Sequence, residues 1–282
     1  MTQETVTYLT NIVIVTILAF LITHHWFRQG RAVAMRWWMI SAWVMAAADV
    51  LFAARPDLPN WIGQMLPTLL VTVGHAGLFF GARMTAGRSL RTKEVGAIVL
   101  IHAMGLGYFM SLGYHSEWRM VFNGVIWGAL SFASYQSLRK GPSVFWKPLI
   151  APANAFLLHG IFHCMRIGLA ILFTTLGWME AAAWLQMIGD LEVSFFMVAL
   201  FVGILLANLH LRNEELTSAL AEVQTLSGLL PICSWCKKVR NDEGYWQRVE
   251  DYFAARSQIE FTHGICADCY KQHDPRKMTT PT

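Results

Sequence analysis

Seven long apolar stretches leave this chain few folds to choose from. They cover residues 7–27, 35–54, 61–82, 95–114, 118–138, 148–175 and 183–211, with short polar or charged segments between them. A helix needs about 20 consecutive apolar residues to cross the hydrocarbon core of a bilayer, and each stretch reaches roughly that length. The sixth and seventh are longer and are expected to tilt or to project beyond the core. Only 14% of the residues are charged and 55% are hydrophobic, whereas soluble domains carry about 25% charged residues. The expectation is an all-α membrane protein whose residues 1–208 form a seven-helix transmembrane bundle. Met1-Thr-Gln-Glu is not basic, so a cleavable signal peptide is not expected.

Basic residues orient such a bundle, because Lys and Arg collect in cytoplasmic loops. Arg28, Arg31, Arg36, Arg83, Arg88, Arg91, Lys93, Arg139, Lys140 and Lys147 fall on one side. Arg55 and Arg119 fall on the other, with Glu4, Asp57, Glu117 and Glu180. The N-terminus is therefore expected outside and the C-terminus in the cytoplasm. The formal net charge of +4 then reflects topology rather than affinity for nucleic acid. Residues 212–282, with nine Lys/Arg and ten Asp/Glu, are about neutral.

Ionisable side chains inside a bilayer are costly, so each is a functional candidate. Estimated depths sort them into two layers. Asp49, Asn123, Arg166, Asp190 and Glu192 lie toward the outer surface and make a candidate ligand pocket. One arginine cannot neutralise three carboxylates, so the excess acid calls for protons, water, a cationic ligand or a metal; a structural ion pair is the plainer alternative. His75 and His102 lie at matching depth nearer the inner surface, with His159 and His163 one helical turn apart and somewhat deeper. Such histidines can ligate a b-type haem or a metal, or simply hydrogen-bond between helices. Gly74, Gly77, Gly81, Gly105, Gly107, Gly124 and Gly128 are expected to allow close helix packing. Pro67 and Pro152 are expected to kink their helices. Tryptophans 26, 37, 38, 61, 118, 146, 178 and 184 are expected at the interfaces. Cys164 is expected to pack as a small hydrophobe. No lysine falls within the apolar cores, which disfavours a retinal Schiff base.

Beyond the seventh stretch, helix formers continue without Gly or Pro until Gly228. Leu209, Asn213, Leu216, Leu220, Val223 and Ser227 follow alternating four- and three-residue steps. That spacing predicts a coiled-coil connector over 209–229 and a parallel homodimer; a helix lying on the membrane surface is the alternative. Residues 230–273 hold four of the five cysteines as Cys233-Ser-Trp-Cys236 and Cys266-Ala-Asp-Cys269, 29 residues apart. Two such pairs suit a tetrahedral four-thiolate zinc site, a closed site with no open position for catalysis. A rubredoxin-type iron or a redox dithiol uses the same residues. So small a module buries little core, and a metal would supply the missing stability. Asn241 to Gly244 reads as a turn, 245–256 as a helix, and Ile259 and Phe261 as a short strand. The polar tail, 274–282, is expected to be disordered.

Leu229-Leu-Pro-Ile-Cys-Ser-Trp-Cys-Lys-Lys-Val-Arg240, Gly244-Tyr-Trp246, Glu250, Tyr252 and Phe261-Thr-His-Gly-Ile-Cys266 resemble a cysteine module found at the C-termini of bacterial response regulators and sensor proteins. Ala267 departs from that pattern, which has proline there. The membrane region, through Leu157-Leu-His-Gly-Ile-Phe-His-Cys-Met-Arg166 and residues 77–88, resembles the multi-helix sensory domains that precede diguanylate cyclases and histidine kinases. The resemblances imply a non-enzymatic inner-membrane sensor or signalling adaptor. Its zinc-binding tail would recruit a cytoplasmic signalling protein, with Trp235, Lys237 and Lys238 as contacts and His263 beside the metal. A membrane haem or redox protein, and a small transporter using Asp49, Arg166, Asp190 and Glu192, are the alternatives.

Overall fold

The computed structural model describes residues 3–28, 32–112, 116–227, 230–241, 243–255 and 261–272. The chain forms two compact units, Met1–Glu214 and Glu215–Thr282, so the division falls inside the connector. The expected strand residue Ile259, the helix-ending Gly228 and the tail all lie outside the described residues.

Each apolar stretch is a helix. In chain order they are α1 (Gln3–Arg28), α2 (Val33–Ala53), α3 (Asn60–Thr85), α4 (Thr92–Ser111), α5 (Ser116–Leu138), α6 (Pro152–Leu176) and α7 (Met179–Ser227). Among the described residues, five of them, α1, α3, α4, α6 and α7, are long and apolar enough to cross a membrane. Helix α2 carries Arg36, Asp49 and three tryptophans within its apolar stretch. Helix α5 is less apolar because it carries Arg119, Asn123 and a row of serines.

The outer faces of the helices are greasy. Val13, Ile17, Phe20, Leu100, Met104, Leu158 and Phe195 all stand exposed. Hydroxyls on the inner faces are satisfied within their own helices: Ser131, Ser134 and Ser137 each donate to the carbonyl four residues back, at 2.7–2.8 Å. This local bonding lets a polar side chain sit where water is absent.

Helices α2 and α3 meet along a glycine edge. A Cβ on Gly74 would lie 2.8 Å from the Met45 sulfur, and one on Gly81 would lie 2.7 Å from the Trp38 indole. Gly77 faces the Ser41 hydroxyl in the same way. Trp38 is therefore a core residue, 1% exposed, and not the interfacial anchor its sequence position suggested. Trp61, Trp118, Trp178 and Trp184 are exposed. Gly105 packs on Phe122, Gly124 on Ile167 and Gly128 on His163, but Gly107 has open space around it and is not a packing glycine. Cys164 is exposed on α6 rather than packed.

The sixth helix begins later than its apolar stretch. Its first residue is Pro152, a position where the missing N–H costs nothing, so this proline starts the helix instead of kinking it. Pro67 does lie inside α3. Gly177, at φ +71°, closes α6, with the Trp178 N–H donating to the Phe173 carbonyl at 2.8 Å. A left-handed residue at this point favours glycine.

The second unit is small. Strands β1 (Val239–Arg240) and β2 (Trp246–Gln247) pair antiparallel and are followed by α8 (Val249–Ala254) and α9 (Ala267–Gln272). The expected turn joins the strands: Gly244 takes φ +92° and the Tyr245 N–H donates to Asn241 Oδ1 at 2.7 Å. The helix expected over 245–256 is shorter than its apolar stripe, because Trp246 is taken by the hairpin.

Candidate functional site

A cavity of about 290 Å³ opens among the bundle helices. Asp49 of α2, Asn123 of α5, Arg166 of α6 and Asp190 of α7 line it, so four of the five residues expected in the outer layer share one space. Tyr8 and Asn11 of α1, Arg55, Gln64 and Thr68 around the start of α3, Arg119 of α5 and Gln186 of α7 complete its polar wall.

Arg166 is 4% exposed. Its Nη2 donates to Gln186 Oε1 at 2.8 Å, and Gln186 Nε2 donates to Asp190 Oδ1 at 2.9 Å. The guanidinium thus reaches the carboxylate through an amide. Its Nε has no hydrogen-bond partner among the described residues. Gly189 makes the placement possible, since any side chain there would collide with the guanidinium. Asp190 also accepts the Tyr8 hydroxyl at 3.1 Å, and its carbonyl accepts Asn11 Nδ2 at 3.1 Å. Asn11 in turn accepts from Ser194. These bonds tie α7 to α1 and α6.

Glu192 does not join this group. Its carboxylate lies 2.9 Å from His159 Nδ1, in the layer expected to be separate. His159 Nε2 stands 3.1 Å from His75 Nε2 and 3.2 Å from His163 Nε2. His75 Nδ1 is 2.9 Å from the Val71 carbonyl. The Phe196 ring stacks on His159 with centroids 3.9 Å apart.

His102, at the same depth as His75, belongs to another network. Its Nδ1 is 2.6 Å from Thr72 Oγ1 and its Nε2 is 2.8 Å from Asn123 Oδ1. Trp127 donates to Thr72 Oγ1 at 2.9 Å and stacks on His75 with centroids 5.7 Å apart. The two histidines of equal depth are thus separated by an indole. The two-layer picture fails for a physical reason: depth along a helix says nothing about rotation around it, and both Asn123 and Glu192 turn toward histidines.

The Nε2 atoms of His75 and His163 each stand at hydrogen-bond distance from that of His159. Among the described residues no group of three or more His, Cys, Asp or Glu side chains has a metal-holding arrangement.

The cysteines form two separate pairs. In the first, the Cys233 N–H donates to the Lys238 carbonyl at 2.8 Å and the Lys237 N–H donates back to Cys233 at 3.0 Å. Lys237 takes φ +62° to close this loop. The backbone N–H groups of Cys236 and Trp235, with the Cys236 thiol, lower the Cys233 thiol below its ordinary pKa. The backbone N–H and then the thiol of Cys269 lower Cys266 likewise. Amides that favour thiolates are what a metal-binding loop requires, so each pair fits half of a four-sulfur site. The segment 256–260, which links the halves, lies outside the described residues. His263 is exposed, as are Trp235, Lys237 and Lys238.

Tyr8, Asn11, Thr72, Trp127, Gln186 and Ser194 were not singled out from the sequence. Two of them carry a local signal: Asn11 interrupts an apolar run, and Gln186 precedes Asp190 by one helical turn. No family model, curated protein or solved structure matches this chain.

Proposed function

We propose that the protein is a seven-helix membrane sensor or signalling adaptor. Its bundle takes a small ligand bearing both charges, and α7 passes the event to a zinc-holding cysteine module. The observation that carries this reading is α7 itself. One helix of 49 residues, Met179–Ser227, supplies Gln186, Gly189, Asp190 and Val193 to the cavity wall and continues far beyond its apolar segment.

The ligand class follows from the wall. The unpartnered Nε of Arg166 is a buried donor aimed at an anionic group, and a carboxylate is its natural complement. Asp49 is 8% exposed, and among the described residues nothing hydrogen-bonds its carboxylate; it suits an ammonium. The volume lies near the lower bound of ordinary ligand pockets, ~300 Å³, which suits an amino acid or a betaine.

Leu209, Leu216 and Leu220 are exposed on α7 and supply the seam of a parallel homodimer. The distribution of Lys and Arg supports an N-terminus outside and a C-terminus in the cytoplasm. Cys233, Cys236, Cys266 and Cys269 would hold zinc as a structural centre, and Trp235, Lys237 and Lys238 would meet a cytoplasmic signalling partner.

The test is a thermal-shift screen of the detergent-purified full chain against free amino acids and betaines. At least one compound should stabilise the wild type and fail on both Asp49→Asn and Arg166→Gln. A panel without effect removes the ligand reading. Uptake into proteoliposomes that survives deletion of residues 212–282 makes the bundle a transporter instead.

A further inference from the structure

The contact between His75 and His159 requires a proton that neutral imidazoles and a carboxylate do not supply. The ring centroids are 5.4 Å apart, the planes differ by 16°, and the facing Nε2 atoms are 3.1 Å apart. The difference of 2.3 Å (5.4 − 3.1) is about the sum of the two ring radii. The nitrogens therefore point straight at each other in nearly one plane. That is the geometry of a linear N–H···N hydrogen bond. A metal bound to both rings would need more room between them.

The other nitrogen of each ring settles how many protons are present. A carbonyl only accepts, so His75 Nδ1 carries a hydrogen toward Val71 at 2.9 Å. Neutral His75 then has a bare Nε2, and the hydrogen between the rings belongs to His159 Nε2. His159 Nδ1 meets Glu192 at 2.9 Å, and that contact also needs a hydrogen, whether it sits on nitrogen or on oxygen. Three hydrogens are thus shared by His75, His159 and Glu192, against two for a pair of neutral imidazoles and a carboxylate. The surplus is one, and the trio is electrically neutral, as a group buried in an apolar bundle should be.

We propose that His75, His159 and Glu192 form a proton-binding site whose bound proton joins α3, α6 and α7. His159 is the centre: its Nε2 hydrogen can be offered to His75 or to His163, whose Nε2 is 3.2 Å away. When the proton leaves, two lone pairs face each other across 3.1 Å and the α3–α6 contact must open. The groups that bear on the site are His75 from α3 and, beyond the Trp127 ring, His102 from α4. His163 and Arg166 come from α6 and Glu192 from α7; α5 presents Trp127 and no ionisable group. The site stands apart from the ligand reading above, and either can fail without the other.

The test uses the full chain in nanodiscs with ¹⁵N-labelled histidine and magnetic resonance of the ring nitrogens. Near neutral pH the wild type should show scalar coupling between two Nε2 atoms, and alkaline pH should abolish it. Glu192→Gln can donate its amide N–H to His159 Nδ1, which leaves a neutral ring with its hydrogen on Nε2. The coupling should therefore survive alkaline pH in that variant. Wild-type rings that are bare at Nε2 and uncoupled near neutral pH overturn the proposal. So does coupling lost at the same pH in both proteins. Ring signals shifted by added zinc, with no coupling beforehand, would assign the gap to a metal and overturn it equally.

Discussion

The bundle and the cysteine module solve opposite problems. In the bundle, buried polar side chains such as Arg166, His75, His159 and Thr72 are knitted together, while Phe20, Leu158 and Phe195 face outward. In the module, Val239 is the sole buried hydrophobic among the described residues, and Trp235 stands 94% exposed. The first arrangement suits a surrounding that is itself apolar, where backbone and side-chain polarity must be satisfied internally. The second has too little buried area to offset the entropy of ordering its backbone, so something other than packing has to hold it. Stability in one region comes from helices whose polar groups find one another. In the other it is expected from four sulfurs.

That contrast breaks most sharply at the cysteines proposed to hold zinc. On that proposal Cys233→Ser, or treatment with a strong chelator, should unfold the module while leaving the bundle helical. Structural zinc contributes about 10–16 kcal/mol of apparent binding energy in comparable small modules. Tryptic cleavage at Lys237, Lys238 and Arg240 should become fast, with unchanged far-ultraviolet ellipticity from the membrane helices. A tail that resists trypsin in this variant would mean that packing suffices after all.

In the bundle the glycine edge can be tested by filling space. Gly81→Val forces a side chain into the Trp38 indole and should cost about 1–3 kcal/mol, read as a lower unfolding midpoint in detergent. Val239→Ala removes two buried methyl groups and should cost about 1.5 kcal/mol at most, well below the cysteine change. An equal loss would return the module to ordinary core stabilisation. Trp235→Ala should stay within about 0.5 kcal/mol and weaken only partner binding, measurable by pull-down with the intact tail.

The helices were legible because twenty apolar residues in a row admit little else. Their mutual rotation was not. Glu192 and Asp190 are two positions apart on α7, so they point in different directions, one to His159 and one to Tyr8 and Gln186. Sequence depth had merged them. Trp38 was misplaced because its position near the end of an apolar stretch resembles that of an interfacial tryptophan; only Gly81 on α3 explains why it turns inward. In the module, Tyr245 and Trp246 fit both a helical stripe and a hairpin edge. The Asn241–Gly244 turn decides for the hairpin, and that turn could be read from its glycine.

The glycine edge of α3 has a mechanical consequence. With Met45, Ser41 and Trp38 seated directly on backbone, α2 and α3 have no side-chain cushion along which to slide, and the pair should bend as a single plank. Helix α7 is fastened differently, by amide, hydroxyl, guanidinium and imidazole contacts from Asn11, Tyr8, Arg166 and His159. Such fastenings can be exchanged one at a time for water, a ligand or a proton. The stiff part of the bundle therefore serves as the frame, and play is confined to the one helix that leaves it.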